Sequence, residues 1–535
     1  VLQLFESIIA STIVTMIRVF ALILLSIISG WLLGYVAVKS KLFESIYITL
    51  TEIFESVPVF TFFPVALIFF VNGIGGYLGV ELAADFLVFT AVVWNIWMGI
   101  YQAFKTIPKE MQEVIENYRF TFLNKMLKLY IPFSIPRIVA NVYPSFASAL
   151  FYITVSEVFS IGNTSFSSFG IGSEIYYFSV NNDIEGLTYS LITLTIFIIL
   201  ITYGIKRMED WALSKYTVDT EYIIARRGKP RFRYTVIFNA IVNKVNPIQR
   251  IVKYRARRAP IIYERERGEG RKISIVGRVS LVLILFLIVY FTLISISFKD
   301  LIPYVLQTPF YIIGLGYDLV RIGVVTLFST SISIFLGYLF ATKLKKFERP
   351  FVFIIQVLAS LPAPVYFPIL YGILIHHLSF LGSLTPEFFV LMLAFLSTAW
   401  YVLYNYYIAV KSIPYEYWEI MDNFSMSLIK RLRLVVIPST MPYLITGIIS
   451  TVNGAWGGLI LGEYWQNIYD SQTLQVTHGI MKYLDLAVNA GSIVEVSWIS
   501  FVLSIFIAVY AILATKRGMD LARKRYTMEE GIFAA

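Results

Sequence analysis

The sequence predicts an all-α polytopic membrane protein built from two tandem parallel repeats, on three observations. Hydrophobic residues make up 58% of the chain and charged residues 15%, and the mean hydropathy is +0.73, values that belong to chains whose solvent is a bilayer. Apolar runs of about 20 residues, the length that spans hydrocarbon at 1.5 Å per residue, recur from end to end. The chain also repeats itself: residues 101–136 return 306 positions later as 407–442, with 11 identities in 36 positions and no gap. These are Tyr101/Tyr407, Ala103/Ala409, Lys105/Lys411, Ile107/Ile413, Pro108/Pro414, Glu110/Glu416, Glu113/Glu419, Asn117/Asn423, Ile131/Ile437, Pro132/Pro438 and Pro136/Pro442. The repeat places a first module at 1–220, a linker at 221–273 and a second module at 274–535.

Spanning runs fall near 8–36, 48–71, 86–104, 137–158 and 187–205, then near 276–297, 312–341, 352–375, 388–410, 441–463 and 494–514. Five and six make about eleven transmembrane helices, and the first module lacks a counterpart of 276–297. Basic residues gather at Lys39 and Lys41, at the first repeated loop, at Lys206 and Arg207, at Lys343 to Lys346, at the second repeated loop and from Lys516 onward. The positive-inside rule makes these sides cytoplasmic and gives both halves the same orientation, so the pseudo-symmetry axis runs along the membrane normal. The start of the chain does not have the form of a signal peptide. Matching residues extend through both modules, with Arg18, Gly34 and Tyr35 answering Arg321, Gly337 and Tyr338, and Arg207 and Asp210 answering Arg517 and Asp520.

The repeated loop carries the functional signal. After Pro108 and Pro414, apolar residues stand at i, i+3, i+4 and i+7: Met111, Val114, Ile115, Tyr118 and Tyr417, Ile420, Met421, Phe424. That spacing makes one stripe on a short helix, Pro suits its first turn, and Glu110, Glu113, Glu416 and Glu419 lie near its positive end. A lone loop of this kind could rest on lipid headgroups. Two in equivalent places, acidic at the flanks, fit the grooves of another protein better than an anionic leaflet.

These residues resemble the EAA loop of the membrane permeases of ABC importers. The family's Glu-Ala-Ala falls on Glu113-Val114-Ile115 and Glu419-Ile420-Met421, its Gly on Arg119 and Ser425, and its closing hydrophobic-Pro on Ile131-Pro132 and Ile437-Pro438. Neither Ala nor the Gly is kept. The likeness to the nitrate, sulphonate and taurine branch extends through Ser56-Val57-Pro58 with Pro64 and Ser360-Leu361-Pro362 with Pro368, and to archaeal and bacterial permeases in which two subunits are fused. The resemblance implies a type I ABC importer permease fold, two cytoplasmic ABC ATPase subunits as partners, an extracytoplasmic solute-binding protein, and a place in the prokaryotic plasma membrane. It also implies inward, ATP-driven movement of a small solute such as nitrate, a sulphonate or bicarbonate. On it Glu110, Glu113, Val114, Ile115, Asn117, Glu416, Glu419, Ile420, Met421 and Asn423 couple to the ATPases. A secondary transporter or channel acting without an ATPase is the alternative.

Other classes are disfavoured. The chain has no Cys and three His, which removes thiolate chemistry and leaves no convincing metal cluster. Gly228-Lys229 is followed by Pro230 and is not a phosphate-cradling loop, so the chain is not expected to hydrolyse ATP by itself; the resemblance implies a transport subunit without a cofactor of its own, with ATP and Mg on the partner subunits. Residues 205–273 carry 18 Lys and Arg against 7 Asp and Glu. With no nucleic-acid-binding pattern beside them, these fit a basic strip on lipid headgroups, with an interfacial helix at 234–252.

Two sets of residues are candidates for the path. Pro58 and Pro362 should break their helices about 15 Å from the cytoplasmic end, with Ser56, Pro64, Ser360 and Pro368 around the breaks and helix starts that favour an anion. Charges inside spans are costly without partners. By depth, Arg18 matches Glu157 and Arg321 matches Glu463, two repeated ion pairs near the outer face.

Overall fold

Uninterrupted apolar runs become long helices here, and prolines cut the rest. The structure, a computed structural model, describes residues 2–216 and 298–510 apart from 106, 162, 163, 182, 412 and 414. The linker 221–273, the helix expected at 234–252, the span expected at 276–297, Pro414, and the tail with Arg517 and Asp520 lie outside the described residues.

The first half runs α1 (Leu2–Lys39), α2 (Lys41–Ser56), α3 (Gly76–Lys105), α4 (Lys109–Asn117), α5 (Ile131–Ser156), a hairpin of β1 (Val158–Ile161) and β2 (Thr164–Ser167), α6 (Ile171–Val180) and α7 (Ile184–Tyr216). The second runs α8 (Phe298–Leu306), α9 (Thr308–Thr342), α10 (Glu348–Ser360), α11 (Ala363–Leu378), α12 (Thr385–Lys411), α13 (Tyr415–Asn423), α14 (Ile437–Gly462), a hairpin of β3 (Tyr464–Tyr469) and β4 (Gln472–Gln475), α15 (Ile480–Asn489) and α16 (Ile493–Tyr510).

In the first half α3 packs between α1 and α5, and in the second α12 packs between α9 and α14. The glycines explain how closely these helices approach. A Cβ at Gly30 would overlap Ile100, and one at Gly337 would overlap the Tyr406 ring. The first core gathers Val19, Ile96, Ile100, Phe146 and Ile153. A second joins the halves, with Val57, Val59 and Phe63 packed in one cluster with Ile480, Ile499 and Leu503. The outward faces of α1 and α9 stay apolar, with Ile17, Leu24, Leu32, Val320, Leu327 and Phe328 exposed, as helices facing lipid must be.

Proline sets the interruptions. Helix α2 stops at Ser56, and the chain turns at Pro58 into a 3-10 turn, Val59–Phe62, and a π-type stretch, Ala66–Ile74. In the second half Leu361 (ψ 114°) and Pro362 (ψ 120°) are extended between α10 and α11. A proline ring pushes the preceding residue out of the helical region and supplies no N–H, so the helix ends there. The two stretches 122–139 and 141–156 meet at a bend of 57°. Pro144 causes it, since its ring clashes with the carbonyl four residues earlier, at residue 140.

The fold is mostly helical, and each half adds a short antiparallel hairpin. The second hairpin closes through Asp470 and Ser471, both at positive φ (45° and 59°), the two-residue turn whose twist matches that of the strands. Among the described residues, seven helices are long and apolar enough to cross a membrane, or eight if the bent pair counts as one span, and the span expected at 276–297 is not among them. Run 48–71 is divided at Pro58 and run 352–375 at Pro362, and the 3-10 turn Ser379–Leu384, with Gly382 non-helical (φ 56°, ψ −121°), separates α11 from α12. The chain is a multi-pass membrane protein.

Candidate functional site

Helices α4 and α13 lie at the loop positions that the repeat singled out. Pro108 precedes α4 in an extended conformation (ψ 137°), as a residue outside the first turn should be. Each helix ends through a residue that is not Gly yet is left-handed, Arg119 (φ 50°) and Ser425 (φ 46°). Around them Phe120 N–H donates to Ile115 O (3.1 Å) and Arg119 N–H to Glu116 O (2.9 Å); Met426 N–H donates to Met421 O (3.0 Å) and Ser425 N–H to Asp422 O (2.9 Å). These are the paired bonds of a Schellman exit. The turn therefore keeps its shape at the two positions where the resembled motif has Gly.

The stripe divides in a way the spacing did not reveal. Ile115 is 2% exposed and Met421 0%, both turned into the chain's own cores. Val114, Tyr118, Ile420 and Phe424 remain exposed, with Glu110, Glu113, Asn117, Glu416, Glu419 and Asn423 also facing outward. Ile115 and Met421 are thus anchors of the loop and not part of an outer docking surface, because a short helix on a membrane domain must hold on by one side. The two loops are also tied down differently. Lys39 Nζ at the end of α1 donates to Glu116 (3.1 Å) and holds that carboxyl below its ordinary range, whereas Asp422 pairs with Arg431 (2.7 Å) within its own loop.

The path candidates sit at the helix breaks. Pro58, Ser360, Pro362 and Pro368 are buried, Ser56 is the last residue of α2, and Pro64 lies in the short turn Phe63–Val65. Thr61 Oγ1 donates to the Pro58 carbonyl (2.7 Å), satisfying a group the break sets free. Across the seam, Tyr143 of α5 donates its hydroxyl to the Gln356 carbonyl and accepts from Ser360 Oγ (3.1 Å). One half thus touches the break of the other.

The charged candidates meet inside the protein. Arg18 Nη1 lies 3.3 Å from Glu157, and Arg321 Nη1 lies 2.7 Å from Glu463. Each guanidinium also holds carboxylates that sequence reading missed. Arg18 contacts Glu81 and, at 3.3 Å, Asp85; Arg321 contacts Glu387 at 2.6 Å and Asp318 at 3.2 Å. The signal was available, since Glu81 and Glu387 stand 306 positions apart like the loops.

Both buried glutamates cap a helix start. Glu157 accepts from Thr15 Oγ1 (2.6 Å) and from Gly172 N–H (2.6 Å) at the start of α6. Glu463 accepts from Lys482 N–H (3.0 Å) at the start of α15. Negative charge belongs at that end of a helix, where unpaired N–H groups point. Only glycine leaves room for it, because a Cβ at Gly170 or Gly479 would overlap the Glu157 or Glu463 carboxylate. Helix α6 in turn packs on β3, and α15 on β1, so each cluster supports a contact between the halves. Among the described residues no set of His, Asp and Glu is arranged to hold a metal.

Comparison with known families places the second half. Residues 333–520 match the family described as the binding-protein-dependent transport system inner membrane component. The match supports an ABC transporter permease domain in that stretch. It takes in α10 to α16, and with them the second loop helix, the second break, Glu387 and Glu463. No curated protein and no solved structure matches the chain.

Proposed function

We propose that this chain is the membrane permease of an ABC importer of type I fold, with both transmembrane halves in one polypeptide. It carries a small solute inward by alternating access driven by two cytoplasmic ATPase subunits, and an extracytoplasmic binding protein delivers the solute. The observation that carries this reading is the pair α4 and α13. These are two exposed short helices at equivalent positions, each with a left-handed exit, and each presents two apolar side chains beside carboxylates. An amphipathic helix of this kind docks into a groove, and the family match covers one of the two.

The path follows the breaks at Pro58 and Pro362, with Arg18, Glu81, Glu157 and Arg321, Glu387, Glu463 closing the outer side through α6, α15 and the hairpins. A small anion such as nitrate, a sulphonate or bicarbonate fits the resemblance and the helix start after Pro362, whose positive end favours negative charge.

Purification from native membranes tests the reading. ATPase subunits should accompany the wild-type chain and be lost from the Val114→Asp/Ile420→Asp variant. Solute flux by the chain alone, without ATP or a co-purifying ATPase, would replace it with a secondary transporter or channel. Binding assays of the cognate solute-binding protein with nitrate, a sulphonate and bicarbonate address the substrate.

A further inference from the structure

At the foot of each half a carboxylate ties the broken helix to the helix that leads into the loop. Glu44, in the first turn of α2, accepts from Tyr101 Oη (2.5 Å) and from Lys105 Nζ (2.6 Å), both near the end of α3. Glu348, at the start of α10, accepts from Tyr407 Oη (2.6 Å) and pairs with Lys411 Nζ (2.7 Å), both near the end of α12. The same three residue types thus close the same contact twice. They account for two of the identities between the halves, Tyr101/Tyr407 and Lys105/Lys411, that the loop helices themselves do not use.

The placement joins two functional parts. Lys105 lies three residues before Pro108 and the loop helix α4, and Glu44 lies on α2, which runs straight to the break at Pro58. In the second half Lys411 precedes α13, and Glu348 opens α10, which ends at the break before Pro362. Glu44 is 13% and Glu348 23% exposed, while Lys105 is 53% exposed, so water screens the Lys105 pair and the tyrosine bonds to the carboxylates are the more sheltered contacts. A bond to a charged group is stronger and more directional than a neutral one. Two such bonds to one carboxylate make the helices move together, where apolar contacts alone would let them slide.

We infer that Glu44 and Glu348 are positioning residues that relay displacement of the loop helices to the helix breaks at Pro58 and Pro362. They touch neither solute nor ATPase. The inference rests on the ABC importer reading and extends it from where the ATPase docks to how its motion reaches the path.

The chain lacks Cys, so labels can be placed without background. Phe69→Cys and Ile373→Cys put spin labels at two exposed positions beyond the two breaks. In the permease–ATPase complex, the distance between them should change when MgATP and vanadate are added. In the Glu44→Gln/Glu348→Gln complex the ATPase should stay bound and hydrolyse ATP, while the equilibrium between the two distances shifts about 2- to 30-fold less, the range for residues that carry coupling between sites. If those variants do not assemble, Tyr101→Phe/Lys105→Met leaves both carboxylates in place and should give the same loss in the first half. The charge exchange Glu44→Lys/Lys105→Glu should recover the response, which a merely structural role does not require.

A full distance change in the Gln variants overturns the relay while leaving the importer reading intact. Failure of any ATPase to bind the wild-type chain overturns both.

Discussion

Replacing Arg321 by Met tests how much the second charged cluster contributes to folding. The guanidinium is 4% exposed and is shared by Glu463 at 2.7 Å, Asp318 at 3.2 Å and Glu387 at 2.6 Å. Met keeps most of the side-chain length and removes every one of these contacts. Glu463 and Asp318 have fully buried side chains and would be left without a cation. Removing one partner of a buried pair costs about 3–5 kcal/mol, most of it the penalty of the orphaned charge. In a domain of 150–250 residues each kcal/mol moves the melting midpoint by about 2–4 °C, so a loss of about 6–20 °C is expected for the half containing α9, α12 and α14. Thermal unfolding in detergent, followed by tryptophan fluorescence, measures it. Adding Glu463→Leu to Arg321→Met should recover part of the loss, since an apolar side chain in place of the orphaned carboxylate is tolerated. An Arg321→Met protein that melts at the wild-type temperature would refute the claim that the cluster holds α15 and the hairpin in place.

Ile115→Asp should cost more than about 3 kcal/mol, since it both empties a buried apolar site and buries a carboxylate; Val114→Asp, on the exposed side, should stay within about 0.5 kcal/mol and affect only ATPase co-purification. Yield of monodisperse protein separates the two, and equal losses would contradict the division of the stripe. Ser425→Gly should raise the melting temperature slightly and Ser425→Val lower it, because a left-handed residue with a Cβ is strained by about 1–2 kcal/mol; the opposite order would deny the exit geometry of α13. Gly479→Ala should displace the Glu463 carboxylate and cost about 1–3 kcal/mol, the usual range for overpacking, read by the same melting assay, with Gly170→Ala giving a similar loss in the first half.

The sequence announced the loop helices, the helix breaks and one partner each for Arg18 and Arg321, Glu157 and Glu463, because each leaves a local mark: Pro at a fixed place, a period of 3.6, or a charge inside an apolar run. The hairpins escaped because β1 and β2 are four residues each, too short for a period of two to register among apolar neighbours. The inward turn of Ile115 escaped because a stripe of four apolar residues does not say which side of it meets the protein. Glu81 and Asp85 on α3 and Glu387 on α12 went unassigned because only packing brings those helices to Arg18 and Arg321, and Asp318, three residues before Arg321 on α9, was passed over although its spacing put it within reach. Arg119 and Ser425 hold a position that calls for glycine, which shows the hydrogen-bonded exit overriding local preference.

The burial of Arg18 has a consequence for how the protein is made. Its partners lie 63 residues downstream, at Glu81, and 139 residues downstream, at Glu157, so the helix that holds Arg18 is made before either of them. A lone Arg inside a span costs up to about 2.5–3.5 kcal/mol at the helix centre on the scale measured by insertion, and less toward the outer face where Arg18 lies. At about 5–20 residues per second the wait for Glu157 is about 7–28 s. During that time α1 is an incomplete membrane segment, held at the insertion machinery or at the interface until α3 and α5 arrive to neutralise it. Biogenesis of this half thus proceeds by capture of an early helix by later ones, and the carboxylates on α3 and α5 set its order.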